Sequence, residues 1–222
     1  MQKVWKANTN NQHGISPTKA SNLIKLPDKK YKIIYADPAW EYSSDPNSKR
    51  GIWGLAHQKY NTMSFEELKQ LPIKNIADKD SILFLWSTFP ILPQAIELVK
   101  VWGFEYKTVA FVWEKLDKTN NVEKKYGLGW YTRSNCEIVL LGRRGKFDRK
   151  SASVKQIIKA TIGEHSKKPD EVRKRILQLC GDLPRIELFA RTKIHGWDVW
   201  GNDPKLELEP LEQFNENKTA LY

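Results

Sequence analysis

Apolar residues fall along this chain in short solid runs, separated by polar stretches that carry helical spacing. YKIIYA at 31–36 is rich in β-branched and aromatic residues and stops at Asp37-Pro38, which predicts a strand feeding a turn. Ser64 precedes FEELKQL with Glu67 three residues on, a capping box that opens a short helix. SILFLWS at 81–87 is apolar at nearly every position, the mark of a strand covered on both faces in a parallel sheet. Residues 91–102 suit a helix halted by Gly103, and FEYKTVAFVWEK at 104–115 is a long β-branched and aromatic run. CEIVLLG at 136–142 reads as another buried strand. Pro169-Asp170-Glu171, then Val172, Ile176, Leu177 and Leu179 before Gly181, is a helix with Pro at its start and Gly past its end. RIELFA at 185–190 is a strand, and GWDVWGN at 196–202 a short strand or turn. Strands alternating with helices predict an α/β fold with a mainly parallel central sheet. Ligands of such sheets bind outside the carboxyl ends of the strands. That directs attention to Asp37-Pro38-Ala39-Trp40, Trp86-Ser87-Thr88 and Phe189-Ala190-Arg191.

Length and composition narrow the picture. The 222 residues are 40% hydrophobic and include nine Trp, enough to bury a core, so global disorder is excluded. The expected organisation is a polar N-terminal arm over 1–29, one domain over 30–203 and an acidic C-terminal tail over 204–222. Cys136 and Cys180 are the only cysteines, which argues against a disulfide scaffold or a Cys-rich zinc module. His57, His165 and His195 have no ligand spacing, so no metal site is expected. The N-terminus lacks the apolar core of a signal peptide and the greasiest stretch is too short for a bilayer. A cytoplasmic protein without membrane contact is the expectation.

Asp37-Pro38-Ala39-Trp40 carries the most chemical information. A carboxylate at a strand end is followed by a rigid Pro and a large aromatic. The arrangement suits methyl transfer to an exocyclic amine such as N6 of adenine, whose lone pair is delocalised into the ring. A carboxylate and a backbone carbonyl accepting its two N–H bonds would free that lone pair, and an aromatic plane would stack on the base. No Ser-His-Asp set and no P-loop signature competes with this reading.

In these residues the chain resembles the adenine-N6 methyltransferases with an Asp-Pro-Pro-Trp motif. That family holds the catalytic subunit of the eukaryotic messenger-RNA adenine-N6 writer and bacterial and phage DNA-methylating relatives. The resemblance runs in order from about Lys32 to Asn202. It takes in Tyr60-Asn61-Thr62-Met63-Ser64, Leu83-Phe84-Leu85-Trp86 and Trp113-Glu114-Lys115. It continues through His165-Ser166-Lys167-Lys168-Pro169-Asp170-Glu171 and Arg185-Ile186-Glu187-Leu188-Phe189-Ala190-Arg191, and ends at Gly196-Trp197-Asp198-Val199-Trp200-Gly201-Asn202. It implies a Rossmann-like S-adenosylmethionine-dependent methyltransferase fold in permuted (class beta) order, with the catalytic turn first, the cofactor strand last and helices on both faces. It implies Asp37, Pro38, Ala39 and Trp40 as the catalytic turn. It implies Asp37, Lys168, Glu187, Phe189, Arg191, Asn202 and Asp203 around S-adenosyl-L-methionine. Trp40, Tyr60, Trp86 and Trp113 would line the acceptor pocket. Ala39 stands where the family has a second Pro, Ala190 for Gly, Lys193 for a His and Asp203 for Gln. None of these departures removes a catalytic group, so an active enzyme is expected.

Charge then points to the partner. Lys and Arg number 37 against 26 Asp and Glu, a net +11. The window from Lys115 to Arg175 holds 17 Lys and Arg against 7 Asp and Glu, with its densest part at Arg143-Arg144-Gly145-Lys146. Lys115, Arg143, Arg144 and Lys146 are therefore expected to form a phosphate-contacting rim beside the active site, faced by Lys49-Arg50. The long polar loops 41–62 and 116–135 carry Tyr42, Trp53, Trp130 and Tyr131 and read as functional. DNA is the favoured substrate for a small basic chain, its target base flipped out of the duplex. RNA adenine methylation and a non-catalytic nucleic-acid-binding subunit are the alternatives, and a cytosine-N4 enzyme is disfavoured by Asp37. Homo- or hetero-oligomerisation is left open by the sequence.

Overall fold

A computed structural model describes residues 26–40, 62–117, 131–163 and 167–201. In chain order these form β1 (Tyr31–Ala36), α1 (Phe65–Gln70), β2 (Ala77–Ser87), α2 (Leu92–Val101), β3 (Glu105–Leu116), β4 (Cys136–Arg144), β5 (Ile157–Thr161), α3 (Asp170–Cys180), β6 (Arg185–Leu188) and β7 (Asp198–Trp200). The strands make one sheet in the order β5-β3-β4-β2-β1-β6-β7. Every neighbouring pair is parallel except β4, which runs against both β2 and β3.

Two apolar layers sandwich the sheet. On one face Ile34, Leu83, Leu85, Leu140 and Leu188 pack under α1 and α2 through Leu68, Ala95, Leu98, Val99 and Trp102. On the other face Ile33, Tyr35, Phe84, Trp86, Phe111 and Val139 pack under α3 through Val172, Ile176 and Cys180. The alternation of neighbouring strand residues between the two layers is the period of two that β geometry imposes. It shows why 31–36 and 81–87 read as unbroken apolar runs: both their faces are covered. Helix α2 lies very close to the sheet at Gly142, where a Cβ would come within 2.8 Å of Val99 and 2.9 Å of Phe104.

The capping box at α1 forms as the sequence predicts, with the Glu67 N–H donating to the Ser64 hydroxyl and the Ser64 N–H to the Glu67 carboxylate. Three expectations change. β5 (IIKAT) was not anticipated: Ile158 and Ala160 alternate with Lys159 and Thr161, but the run is only five residues long and follows a lysine-rich loop. The strand expected over 185–190 ends at Leu188, because Phe189 turns the backbone into the left-handed region at φ 62°. The strand at 136–144 is reversed, a direction that a solid apolar run does not encode.

Sheet order sets the position of the site. From β1 the chain moves outward to β2 on one side, while β6 lies against the other side of β1 and leads outward to β7. The direction of winding therefore switches between β1 and β6. A crevice opens outside strand ends at such a point, and its lips here are Asp37 and the Phe189–Arg191 turn.

Candidate active site

β1 is buried along almost its whole length, so its carboxyl end is rigidly placed. Asp37 follows, its N–H 3.4 Å from the Leu188 carbonyl of β6. The next three residues are pinned in turn. The Trp40 N–H donates to the Pro38 carbonyl at 2.9 Å, the Met63 N–H to the Ala39 carbonyl at 3.0 Å, and the Trp40 indole to the Trp86 carbonyl at 3.3 Å. Met63, directly before the N-cap Ser64 of α1, thus ties the turn to that helix. The Pro38 carbonyl spends one lone pair inside the turn, and among the described residues no second donor reaches it.

Asp37 begins a chain of buried charges. Its carboxylate is 3.4 Å from the Lys168 ammonium, which also lies 2.6 Å from Glu137; the second Glu137 oxygen is 2.5 Å from Lys115. Lys168 stands 5.0 Å over the Trp86 ring and Lys115 5.4 Å over Trp113, favourable cation–π placements. Burial pushes the Asp37 carboxyl above the usual carboxylate range; Lys168 and Arg191 counter this in part, and Glu137 adds to it. For Lys168 burial alone would lower the pKa, but Asp37 and Glu137 override it and hold the ammonium above the lysine range. Burial would likewise raise Glu137, yet Lys168 and Lys115 bring it below the carboxylate range. The result is a firmly ionised Lys168–Glu137 pair beside a carboxylate that protonates more readily than an exposed one.

The other lip is strained. Phe189 is the one non-glycine residue with positive φ among the described residues, and its ring meets Trp200 edge to face at 5.4 Å. Such strain on a bulky residue persists only where surrounding structure enforces it, and it gathers at ligand sites. The Ala190 N–H is tied to the Trp200 carbonyl at 3.0 Å, and the Arg191 charge reaches Asp37.

Several expected residues are placed differently. Trp40, Trp86 and Trp113 are at most 8% exposed and belong to the two cores. Trp86 donates its indole N–H to the Tyr35 hydroxyl at 2.6 Å, and Trp113 to the Ala160 carbonyl at 3.0 Å. They act here as supports under the ammonium groups rather than as open walls. Glu187 is buried, and both its oxygens are taken by Arg173 at 2.8 and 2.7 Å, so it braces β6 against α3. Tyr60, Asn202 and Asp203 lie outside the described residues, as do Lys49, Arg50 and most of the two long loops.

Arg143, Arg144 and Lys146 require a correction. Because β4 is antiparallel, Arg143 and Arg144 pair with Ile82 and Ser81, whereas Ile138 pairs with Ser87. Six residues of strand span about 20 Å. The basic turn is therefore at the opposite end of the sheet from Asp37, and the start of β4 brings Glu137 to the site in its place. Sequence reasoning missed Glu137. The signal was present: a carboxylate heading an apolar strand needs a partner, the same logic that marks Glu187.

A seven-stranded, mostly parallel sheet with an acidic turn at its switch point and a strained turn beside it has the Rossmann-like arrangement of an S-adenosylmethionine-dependent methyltransferase fold. Comparison with known proteins agrees. The MT-A70 family model matches residues 31–203. A type II methyltransferase, M.MunI, from Mycoplasma sp. is 40% identical over 212 residues, covering 87% of this chain and 88% of the relative. The human N(6)-adenosine-methyltransferase catalytic subunit METTL3 is 26% identical over 163 residues, and an MT-A70-like N(6)-adenosine-methyltransferase of Arabidopsis thaliana 24% over 194. The chain spans 26% of the length of each of these two eukaryotic proteins. The protein belongs to the MT-A70 family of methyltransferases.

Proposed function

We propose that this protein transfers the methyl group of S-adenosylmethionine to the exocyclic N6 amine of adenine in DNA. The observation that carries the reading is the Asp37-Pro38 turn at the switch point, with its carboxylate held by a buried ammonium and its carbonyl bonded, among the described residues, only by the Trp40 N–H. Those two acceptors suit the two N–H bonds of an amine and would hold it in one orientation.

The residues present fit the cofactor. Lys168 and Arg191 supply positive charge for its carboxylate, and Asp37 supplies negative charge for its sulfonium. The Phe189 turn, by the resemblance together with Asn202 and Asp203, would enclose its adenosine. When bound, the cofactor supplies an electrophilic methyl group. Asp37 must be ionised to accept from the amine, and Lys168 favours that state. Glu137 holds the Lys168 ammonium in place, and Glu187 acts through Arg173 by fixing the strand that carries the cofactor turn.

N6 of adenine follows from the acceptor pair and from the N(6)-adenosine activity in the eukaryotic relatives' names. DNA is favoured by a small basic chain that aligns nearly end to end with a bacterial type II methyltransferase. The test is mass spectrometry of nucleosides from DNA and RNA of cells expressing the protein, with the Asp37→Ala protein as control. N6-methyldeoxyadenosine above the control level is expected. Its absence from DNA, with or without N6-methyladenosine in RNA, would refute the DNA assignment.

A further inference from the structure

The basic turn displaced from the active site still needs a partner. Arg143 and Arg144 end β4, Gly145 turns the chain, and the Lys146 N–H is held by Asp80 at 2.8 Å. The Arg144 guanidinium donates to the Lys74 carbonyl at 3.1 Å and the Lys30 ammonium to the Asn75 carbonyl at 2.8 Å, so four segments of the chain converge on one edge. Lys30, Lys74, Lys79, Arg143 and Lys146 are exposed, Lys79 by 90% of its side chain. The nearby carboxylates offset only part of this charge. Asp80 accepts from the Lys146 N–H and lies 4.0 Å from Lys79, Glu105 sits across the sheet from Arg143 but is held by Lys107 at 2.5 Å, and Asp78 faces Lys32 at 3.9 Å, which leaves Lys30, Lys74, Arg144 and Lys146 in excess.

Arginines and lysines fixed on separate rigid elements match a row of phosphates better than they match a single anion. The separation also fits. About 20 Å of strand lies between this edge and the catalytic edge, which is the length of roughly six base pairs of duplex at 3.4 Å per pair. We propose that the edge formed by Lys79, Arg143 and Lys146 is a second DNA contact, gripping phosphates about six base pairs from the target adenine on a duplex lying along the strand direction. This rests on the DNA reading above. The edge adds affinity and register without touching the reacting base.

The test uses the full chain carrying Lys79→Glu, Arg143→Glu and Lys146→Glu together, with Arg144 spared because it caps the Lys74 carbonyl. Fluorescence anisotropy across a salt series would follow binding to a duplex of about 40 base pairs and to a hairpin with about four base pairs on each side of an adenine. On the long duplex the variant should lose at least about tenfold in affinity near 0.1 M salt. Its slope of log affinity against log salt should fall by about three, near 0.9 per lost phosphate contact. Affinity for the hairpin, cofactor binding by calorimetry and the melting temperature should stay at wild-type values. An unchanged slope on the long duplex would overturn the proposal, and so would an equal loss on both DNAs, which would put the contact next to the target. These outcomes are independent of turnover. Patch-dependent binding without methylation of any DNA would leave the edge standing and remove the methyltransferase assignment to DNA, whereas methylation with an unaltered slope would do the reverse.

Discussion

At the scale of single residues, Asp37 combines the chemical role proposed for it with a structural cost. Burial raises its pKa, so its ionised form is held against a solvation penalty. Asp37→Asn should therefore abolish methyl transfer while leaving the melting temperature at neutral pH unchanged or higher; a fall of several degrees would show that the carboxylate is a net stabiliser. Glu137 is the reverse case. Glu137→Gln leaves Lys168 and Lys115 without their shared carboxylate and should cost about 3 kcal/mol, read from urea unfolding. The two groups also separate along the pH axis. Glu137, with a lowered pKa, contributes stability above the ordinary carboxylate pKa, lost only as pH falls through its lower folded value. Asp37, with a raised pKa, takes up its proton first. On acidification turnover should thus decline before the fold melts, and coincident acid limbs of activity and circular dichroism would contradict this. Asp37, Lys168 and Arg191 were legible in the sequence because motif order marks them. Glu137 announced only that it needs a partner, as a carboxylate heading an apolar strand; which partner it finds, and the pairing of Arg173 with Glu187, depend on a strand direction and a helix facing that only the sheet reveals.

At the scale of elements, boundaries were legible where a local device sets them. The Ser64–Glu67 box starts α1, and Gly181 ends α3 at φ 83° and ψ −179°, a region that side chains strongly disfavour. Gly181→Ala should lower stability by roughly 1–3 kcal/mol, measured by thermal or denaturant melting, with kcat per folded molecule unchanged. Gly142→Ala should be worse, because its methyl would meet the side chains of both Val99 and Phe104 under 3.0 Å; a melting temperature equal to wild type would mean that α2 moves freely over the sheet. What local devices do not carry is direction. The apolar run of β4 is compatible with either orientation, so the charges flanking it were assigned to the wrong end. β5 pairs at the sheet edge with Ile158 buried and Lys159 and Thr161 turned outward, and at five residues it is too short to announce itself.

For the whole molecule, the architecture was legible from the alternation of strands and helices and from the ordered motifs, and the sheet adds what connects them. Its reversed strand puts the basic turn of Arg143–Lys146 at one end of the sheet and the candidate site, where Asp37 and Glu137 are paired with lysines, at the other. The pairing of β1 with β6 joins segments roughly 150 residues apart in the chain. That juxtaposition has a consequence for biosynthesis. Translation delivers the catalytic strand early and its inner neighbour near the end, so at 5–20 residues per second the apolar edge of β1 waits on the order of ten seconds or more without its partner. Until β6 emerges, a nascent chain holds half a crevice and a sticky ribbon, and a ribosome stalled between α3 and β6 would release a product prone to clump rather than a partly active enzyme.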